Sequence, residues 1–454
     1  MTDLTHTLPE EFSKRMRQQL EEAYKSFEES LLSPSPVSIR LNPKKHFELN
    51  ANPVAWSTAG KYLDKRPVFT LDPAFHAGAY YVQEASSMFL EQVFMQLGLT
   101  TKPLCILDLC AAPGGKSTHI ISMIHPESLL VSNEVIRSRA SILHENMTKW
   151  GYDNYIVTNN DPKHFKNIEG FFDVIVVDAP CSGEGLFRKD PDAVTEWSTN
   201  NLELCALRQR RILSDVWGSL KKDGILVYCT CTYNPEENEE NIKWLQDQHG
   251  FESIPLRPDP TWGIEEVNIS GLRGCKFFPH NVRGEGFFLT VIRKTEDQHE
   301  TSKKIKTSTG RAPGKIVEQL KDWIKNPEQI TFHQRNDSVY MIKNELVENH
   351  SFLQTKLNVF SVGTMVSKQK ADKLIPEHSL AVSVNLNVKN FPSIELSLDD
   401  ALLFLRKDNI ALSEYKKGHT LVTYKSLPIG WLNVLENRAN NLYPKEWRIR
   451  MRTN

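Results

Sequence analysis

The sequence has no pair of cysteines in the C-x-x-C spacing and no long apolar run. The missing pair argues against a structural zinc site, and seven cysteines, an odd number, indicate reduced thiols rather than a disulfide framework. No apolar run approaches the roughly 18 residues that a membrane helix needs. The first residues, Met1 to His6, lack the apolar core of a signal peptide. We therefore expect a soluble, cytoplasmic protein without a metal site.

Two signatures of nucleotide binding are also missing. No G-x-G-x-x-G stretch occurs, so the dinucleotide fingerprint is absent. The run Gly114-Gly115-Lys116-Ser117 resembles the end of a P-loop, but Cys110 stands where a P-loop needs its first glycine. In addition, Pro113 lacks an amide that a phosphate cradle would use. The sequence thus predicts a tight turn of small residues whose backbone a ligand can approach closely, without nucleotide hydrolysis.

Net charge is only −1, so overall charge favours no class of partner. The C-terminal segment, however, interleaves basic and aromatic side chains. The cations are Arg438, Lys445, Arg448, Arg450 and Arg452, and the rings are Trp431, Tyr443 and Trp447. Such a mixture suits RNA, because cations meet phosphates and rings stack on bases. An ordinary solvated terminus with aromatic core residues is the alternative, and the sequence leaves both open.

Strand and helix patterns alternate from residue 104 onward. Short apolar runs predict strands at 104–107, 129–133, 155–158, 174–177 and 225–228, and longer periodic segments predict helices at 114–124 and 136–150. This alternation is typical of a parallel, doubly wound sheet. We therefore predict an α/β fold.

Changes in composition divide the chain into five segments. Residues 1–102 carry a helical pattern and a probable strand at 37–41, and residues 103–294 form the predicted catalytic domain. A polar, charged stretch at 295–315 is typical of a linker. Two small regions, 316–384 and 385–454, follow the linker. The first and last segments are the expected RNA-binding parts, although the last could instead be a protein-docking or stabilising module.

Two predicted strands end in cysteines about fifty positions apart. One apolar run leads into Asp178-Ala179-Pro180-Cys181, and another leads into Cys229-Thr230-Cys231. Ligands of open α/β sheets bind outside the carboxyl ends of the strands. Two thiols at that edge, next to an acid, suggest one nucleophile and one helper. If the second strand continued, Cys229 would face the same side as Cys231 and could be mistaken for it.

Carboxylates follow three of the predicted strands in the same way. Glu134 comes after the second strand, Asp161 after the third and Asp178 after the fourth. An acid in the position of Glu134 accepts hydrogen bonds from ribose hydroxyls in nucleoside-binding folds, although it could also be a surface residue at a helix start. A row of acids would suit the hydroxyl and amino groups of adenosine and a cationic sulfonium.

Three motifs in this order resemble the RNA 5-methylcytosine methyltransferases of the Nol/Nop/Sun group. They are C-A-A-P-G-G-K at 110–116, D-A-P-C-S-G-E at 178–184 and T-C-T-Y-N-P-E-E-N at 230–238. The resemblance extends upstream to 76–88 and downstream to 278–288. The added C-terminal region, ending in a PUA-like segment, is similar to the bacterial RsmF branch of that family, which acts on small-subunit ribosomal RNA.

The resemblance implies a class I S-adenosylmethionine-dependent methyltransferase fold, with an N-terminal α/β RNA-binding extension and small C-terminal α+β domains, the last PUA-like. The cofactor would be S-adenosyl-L-methionine. The residues implied to bind it are Cys110, Ala111, Ala112, Pro113, Gly114, Gly115, Lys116, Glu134, Asp161 and Asp178. The implied partner is small-subunit ribosomal RNA or the assembled small subunit, and we expect a monomer.

The same resemblance implies that Cys231 is the nucleophile and that Cys181 assists product release. A thiolate that adds to carbon 6 of cytosine makes carbon 5 nucleophilic enough to accept a methyl group. Asp178 would hydrogen-bond or protonate the ring edge, and Lys116 or Arg283 could supply the positive field that a thiolate needs. DNA cytosine methyltransferases use the Pro-Cys thiol instead, so the two roles could be exchanged. Transfer RNA as substrate, or an assembly factor with incidental methylation, are the alternatives.

Overall fold

The computed structural model describes residues 8–297, 310–410 and 416–451. The N-terminal unit is a helical hairpin followed by a small antiparallel sheet in the order β2-β3-β1-β4. Its elements are α1 (Glu10–Leu20), α2 (Tyr24–Leu31), β1 (Val37–Leu41), β2 (Asn52–Pro53), β3 (Gly60–Leu63), α3 (Pro73–His76), β4 (Tyr80–Val82) and α4 (Leu90–Gln96). The helical pattern and the first strand therefore fall where the sequence predicts them.

The second unit is built around a ten-stranded sheet. Its elements are β5 (Cys105–Asp108), α5 (Gly115–Met123), β6 (Leu129–Asn133), α6 (Arg137–Trp150), β7 (Tyr155–Thr158), β8 (Phe172–Asp178), α7 (Pro191–Glu196), α8 (Thr199–Trp217), β9 (Leu220–Thr230), α9 (Glu239–Gln248), β10 (Phe251–Ser253), β11 (Glu265–Ile269), β12 (Leu272–Phe277) and β13 (Phe287–Lys294). Strands β7, β6, β5, β8 and β9 run parallel in that order. The predicted parallel, doubly wound sheet is confirmed.

The strand order reverses between β5 and β8. From β5 the chain moves outward to β6 and β7, and it then returns to place β8 on the other side of β5. In open α/β sheets ligands bind at such a reversal, outside the carboxyl ends of the strands. All four residues of β5 are buried, as are Val174 to Val177 of β8, which explains why both appear as continuous apolar runs in the sequence.

The C-terminal part contains two further small sheets. Its elements are α10 (Gly314–Lys321), β14 (Ile330–Arg335), β15 (Ser338–Lys343), α11 (Val347–Lys356), β16 (Val359–Val362), β17 (Thr364–Lys370), β18 (Lys373–Pro376), α12 (His378–Ala381), β19 (Ser393–Glu395), α13 (Leu398–Arg406), β20 (Gly418–Tyr424), β21 (Leu427–Val434) and β22 (Ala439–Asn441). The third unit contains the sheet β14-β15-β17-β18, and the last unit contains the sheet β19-β20-β21-β22. Most of the predicted linker, residues 298–309, lies outside the described residues.

Strand β16 connects the third unit to the second. It pairs antiparallel with β7 and so forms one edge of the large sheet. Helix α11 packs beside it, because Phe352 and Leu353 belong to the same apolar cluster as Phe171 of the second unit. The region 316–384 therefore packs against the large sheet, although the sequence predicts a domain of its own there.

The N-terminal unit and the last unit share an apolar core. Ala74, Ala77 and Tyr80 from the first unit pack with Leu402 and Phe404 of α13. The N-terminal unit and the last unit therefore pack against each other, which brings both predicted RNA-binding segments into contact.

Candidate active site

The candidate site lies at the carboxyl ends of β5, β8 and β9. Strand β5 ends at Asp108 and β8 at Asp178, so the turn after β5 and the loop after β8 are neighbours. Lys116, at the start of α5, connects them, because its Nζ lies 2.7 Å from Asp178 Oδ2. Burial alone would lower the pKa of Lys116, but Asp178 and other negative groups raise it overall. The site thus holds a fixed positive charge.

The turn of small residues is held by hydrogen bonds from α6 and β6. Asn146 Nδ2 donates to the Pro113 carbonyl and Arg139 Nη2 donates to the Ala112 carbonyl, both at 2.8 Å. The Ala111 amide donates to the Asn133 carbonyl at 2.8 Å. Gly114 has φ of 115°, which disfavours any residue with a side chain, and it precedes the first residue of α5. The backbone of the turn is therefore fixed and uncovered by large side chains.

A pocket of about 190 Å³ opens over this turn. One wall consists of Cys110, Ala111, Ala112, Pro113, Gly115, Lys116 and Asp178. The opposite wall belongs to the N-terminal unit and contains Tyr81, Val82, Gln83, Glu84 and Ser87, which the sequence analysis does not assign to the site. The buried Arg40 positions that wall, because its Nε donates to Gln83 Oε1 at 2.8 Å. The signal in the sequence was the upstream motif at 76–88, whose residues had no assigned role.

The pocket fits the cofactor that the resemblance implies. The small residues of the turn leave room for a ligand against the backbone, and the Asp178 carboxylate, 37% exposed, can attract a cationic or hydrogen-bond-donating group. Beneath the turn, Asp108 Oδ1 is buried without a hydrogen-bond partner. Such an orphaned acceptor is typical of a site that receives a further donor.

Glu134 and Asp161 lie at the same edge of the sheet but do not line this pocket. Glu134 Oε1 accepts the Ile136 amide at 2.9 Å, and its Oε2 lies 3.5 Å from Arg139. Asp161 caps the following turn, accepting the Lys163 amide at 3.1 Å. Their part in binding a cofactor therefore stays a prediction.

The thiols of Cys181 and Cys231 meet, with 3.1 Å between their Sγ atoms. Strand β9 ends at Thr230, and the chain then turns so that Cys231 faces the loop after β8. The Gly185 amide donates to the Cys231 carbonyl at 2.8 Å. A Cβ at residue 185 would overlap the carbonyl oxygens of Cys231 and Gly286, so the two loops can approach this closely only with glycine there.

Cys229 is separated from this pair. The strand does not continue to residue 231, and Cys229 is fully buried in the apolar core beneath the site. Burial raises the pKa of its thiol far above the usual range, against the opposing effect of Lys116. Cys229 is therefore a packing residue, and the expectation that it could replace the nucleophile is not supported.

Two buried glutamates behind the thiols were quoted in the motifs without a role. Glu184 accepts hydrogen bonds from Arg15, Trp197, Thr232 and the Tyr233 amide. It therefore joins the N-terminal helix to both cysteine loops. The sequence does contain a signal for Glu184, because exposure to solvent does not explain an acid within a motif of otherwise small residues.

Glu237 is the second of these glutamates. It accepts the Ser182 amide at 2.9 Å and Gln209 Nε2 at 3.0 Å. The loop after β8 is therefore held to the start of α9 as well as to α8.

For the C-terminal aromatic residues the structure favours the second alternative, that of aromatic core residues. Trp431 and Tyr443 are buried in the core, and Trp447 packs against His144 and His378. These rings therefore do not form a stacking surface for bases. The basic residues Arg438, Lys445, Arg448 and Arg450 are exposed, whereas Arg452 lies outside the described residues.

The described part of the chain has neither a metal-binding cluster nor a helix that could span a membrane. No cluster of three or more His, Cys, Asp or Glu side chains suited to a metal occurs in residues 8–297, 310–410 or 416–451. Within the same ranges, no helix combines the length and apolar character needed to cross a membrane.

The parallel sheet, its strand order and the pocket over the first turn define the class I S-adenosylmethionine-dependent methyltransferases. Solved structures agree with this class. A methyltransferase homologue from Pyrococcus horikoshii is 28% identical with a TM-score of 0.53, over 63% of this chain and 95% of that one. NSun6 from the same organism, at 20% identity and a TM-score of 0.54, covers 64% of this chain and 99% of its own and shows the fold alone.

Family models match three parts of the chain. They are described as 16S rRNA methyltransferase RsmB/F (residues 96–293), the N-terminal domain of 16S rRNA methyltransferase RsmF (8–85) and the RsmF PUA domain (391–449). A protein named ribosomal RNA small subunit methyltransferase F from Photobacterium profundum is 30% identical over 97% of both chains. One of the same name from Enterobacter sp. is 28% identical over 96% of this chain and 95% of its own. The chain belongs to the RsmF family of methyltransferases, and the predicted family and fold class are confirmed.

Proposed function

We propose that the chain transfers a methyl group from S-adenosyl-L-methionine to carbon 5 of cytosine in small-subunit (16S) ribosomal RNA, through a covalent bond between Cys231 and the base. The observation that carries the proposal is the meeting of the Cys181 and Cys231 thiols beside the pocket over the first turn. The family supports the RNA substrate, since its curated members are named for the small-subunit RNA.

The thiol contact supports distinct roles for the two cysteines. The hydrogen bond with Cys231, followed by burial, raises the pKa of Cys181 well above its usual range. A thiol that keeps its proton at neutral pH is a poor nucleophile, because the thiolate is the reactive form. The family resemblance makes Cys231 the candidate that adds to carbon 6, and the thiol of Cys181, 3.1 Å away, is close enough to assist the later elimination.

The cofactor would supply an electrophilic methyl group next to carbon 5. Cys231 adds to carbon 6 and shifts electron density to carbon 5, which then accepts the methyl group. A base then takes the carbon 5 proton, the electrons of that bond re-form the double bond between carbons 5 and 6, and Cys231 leaves carbon 6 as a thiolate, which restores the aromatic ring. Because the ammonium of Lys116 lies 2.7 Å from Asp178, we expect Asp178 to act as a carboxylate that accepts a hydrogen bond from the base, rather than as an acid. Arg283, the other candidate for a positive field, has its guanidinium over the ring of Tyr62.

The target base must leave its stack for carbon 6 to reach a thiol, which favours single-stranded or flipped nucleotides. The contacts between the first and last units, together with the exposed cations of the C-terminal segment, support a shared RNA-binding role for those units. The pocket residues Cys110 to Lys116 and Asp178 would hold the cofactor, with Glu134 and Asp161 at its flank.

The test is a denaturing gel of Cys181→Ala incubated with small-subunit RNA and S-adenosyl-L-methionine. We expect a slowly migrating protein–RNA adduct, because elimination is impaired when the assisting thiol is absent. The adduct should vanish in the Cys181→Ala, Cys231→Ala double variant and should not form with Cys205→Ala, which removes a neighbouring buried thiol on α8. An adduct in Cys231→Ala alone would exchange the two roles. No adduct in any lane, with transfer RNA also inactive, would overturn the covalent mechanism.

A further inference from the structure

A chain of four oxygen atoms runs behind the two thiols. Ser182 and Thr232 each directly follow one of the thiol-bearing residues, and their hydroxyl oxygens lie 3.0 Å apart. Ser182 Oγ lies 2.5 Å from Glu237 Oε2, and Thr232 Oγ1 lies 3.0 Å from Glu184 Oε2. All four side chains are buried. The order along the chain is therefore carboxyl, hydroxyl, hydroxyl, carboxyl.

With both carboxylates ionised, this row of four oxygen atoms would be one proton short of a continuous set of hydrogen bonds. Its three oxygen–oxygen contacts each require a proton, but the hydroxyls of Ser182 and Thr232 supply only two. If both glutamates were ionised, each hydroxyl would donate to its own carboxylate. The two hydroxyl oxygens, 3.0 Å apart, would then face each other with their lone pairs and with no proton between them. A third proton, on one of the two carboxyl groups, would turn this contact into a hydrogen bond.

Charged neighbours decide which glutamate carries it. The guanidinium of Arg15 lies 2.7 Å from Glu184 Oε2, so the negative charge of Glu184 has a counter-ion. Glu237 is contacted by the neutral donors Ser182 and Gln209. Among the described residues, no lysine or arginine nitrogen lies within ion-pair distance of Glu237. An ionised carboxylate buried in this way would be costly.

We propose that Glu237 holds a proton and donates it to Ser182, so that the hydrogen bonds run from Glu237 through Ser182 and Thr232 to the ionised Glu184. Thr232 then accepts from Ser182 and from the Asn234 amide, at 3.2 Å, and donates to Glu184, which uses its hydroxyl fully. Both cysteine loops are thereby aligned by one unidirectional network. Glu237 is a positioning residue, and this consequence for the thiols rests on the proposed function.

The surroundings of Glu237 agree with a neutral acid. Burial raises its pKa, and the negative charge of Glu184 raises it further, against hydrogen bonds from Ser182 and Gln209. The other titratable groups that face it are Cys181, Cys205 and Tyr228, and a negative charge on Glu237 would raise the pKa of each. A neutral Glu237 therefore removes a charge that would oppose thiolate formation.

Infrared difference spectroscopy of the full chain at neutral pH tests the proposal without any substrate. We expect a carbonyl band of a protonated carboxylic acid in the wild type that is lost in Glu237→Gln. The matched control, Glu236→Gln, changes the exposed neighbour and should keep the band. Asp108→Asn identifies the contribution of Asp108, a second buried acid whose pKa is raised. If the Glu237→Gln and Glu236→Gln spectra show the same acid bands, the proposal is wrong, whether or not the chain methylates RNA.

Activity provides a second test that a purely structural role would not satisfy. Glu237→Gln should keep kcat close to the wild type at neutral pH, because its amide can donate to Ser182 as the acid does. Glu237→Ala leaves the Ser182 amide and Gln209 without their buried acceptor, and its kcat should fall about tenfold or more. As the pH is raised until Glu237 ionises, the wild type should lose activity that Glu237→Gln retains. Identical pH profiles for these two proteins would contradict the proposal.

Discussion

Asp108 stands at the end of β5, fully buried beneath the turn over which the pocket opens. Its Oδ2 accepts a hydrogen bond from Ser117 at 2.6 Å. Burial raises the pKa of Asp108 to about 7, the hydrogen bond from Ser117 opposes this, and the negative charge of Asp178 adds to it. Asp108 is therefore a carboxyl group that changes its protonation near neutral pH, directly under the proposed cofactor site.

The stability of the fold should depend on pH through this residue. The pKa of Asp108 is higher in the folded chain than in the unfolded one, so the folded state binds more protons between about pH 4 and about pH 7. The stabilising contribution is thus present at acidic pH and lost as pH rises through about 7. We expect Asp108→Asn to remove up to roughly 4 kcal/mol of this pH dependence. Urea unfolding of both proteins across this range measures it, and parallel stability curves would contradict it.

At the scale of elements, the α1–α2 hairpin supports the two cysteine loops. Phe27 of α2 is fully buried, and its ring centroid lies 5.1 Å from that of Tyr233, two residues beyond Cys231. Phe12 of α1 lies 4.9 Å from Phe187, in the loop after β8. Together with the Arg15–Glu184 ion pair, these aromatic contacts make the hairpin part of the scaffold that holds the two cysteine loops.

Removing one of these rings should loosen both loops. Phe27→Ala leaves a cavity in the aromatic cluster and should cost about 3–5 kcal/mol of stability. We expect faster alkylation of Cys231 by iodoacetamide, followed by peptide mass spectrometry, because the loops open more often. Lys25→Ala, an exposed change on the same helix, is the matched control. Equal alkylation rates for Phe27→Ala and Lys25→Ala would show that the hairpin does not hold the loops.

At the scale of the whole molecule, the units are not independent. Strand β16 covers the edge of β7, and the rings of Phe171 and Phe352 stack with centroids 5.2 Å apart across the junction. The last unit shares one core with the N-terminal unit and another with the third unit, where Trp431 packs with Leu320. An exposed strand edge beside apolar surface favours association with other chains.

A chain shortened to residues 1–297 should therefore be unstable. It keeps every proposed active-site residue but exposes the β7 edge and the apolar partners of α11. We expect a lower unfolding temperature by circular dichroism and self-association by analytical ultracentrifugation. Phe352→Ala in the full chain loses the stacking but keeps β16. It should lower the unfolding temperature without causing self-association. A monomeric truncated chain with an unchanged unfolding temperature would establish that the units fold separately.

The sequence by itself determined the parallel core and predicted the first turn, the two thiols and Asp178 as parts of the site. Apolar runs that are buried on both faces, followed by glycine-rich or acidic turns, are local patterns, because a strand between two layers needs a continuous apolar segment. The predicted strands at 129–133 and 155–158 match β6 and β7 for the same reason. The motifs also placed Cys181, Cys231 and Asp178 at strand ends, since motif residues and strand ends are both visible in the order of residues.

Only the tertiary structure decided how distant segments meet. The contact between the two thiols, the burial of Cys229, the wall that contains Gln83 and the pairing of β16 with β7 each join residues far apart in the chain. The burial of the C-terminal rings was also decided by the tertiary structure alone, because an aromatic residue looks the same in the sequence whether it lies in a core or on an RNA-binding face. Such contacts depend on which surfaces pack together and which charges find partners, and no local pattern of residues encodes that choice.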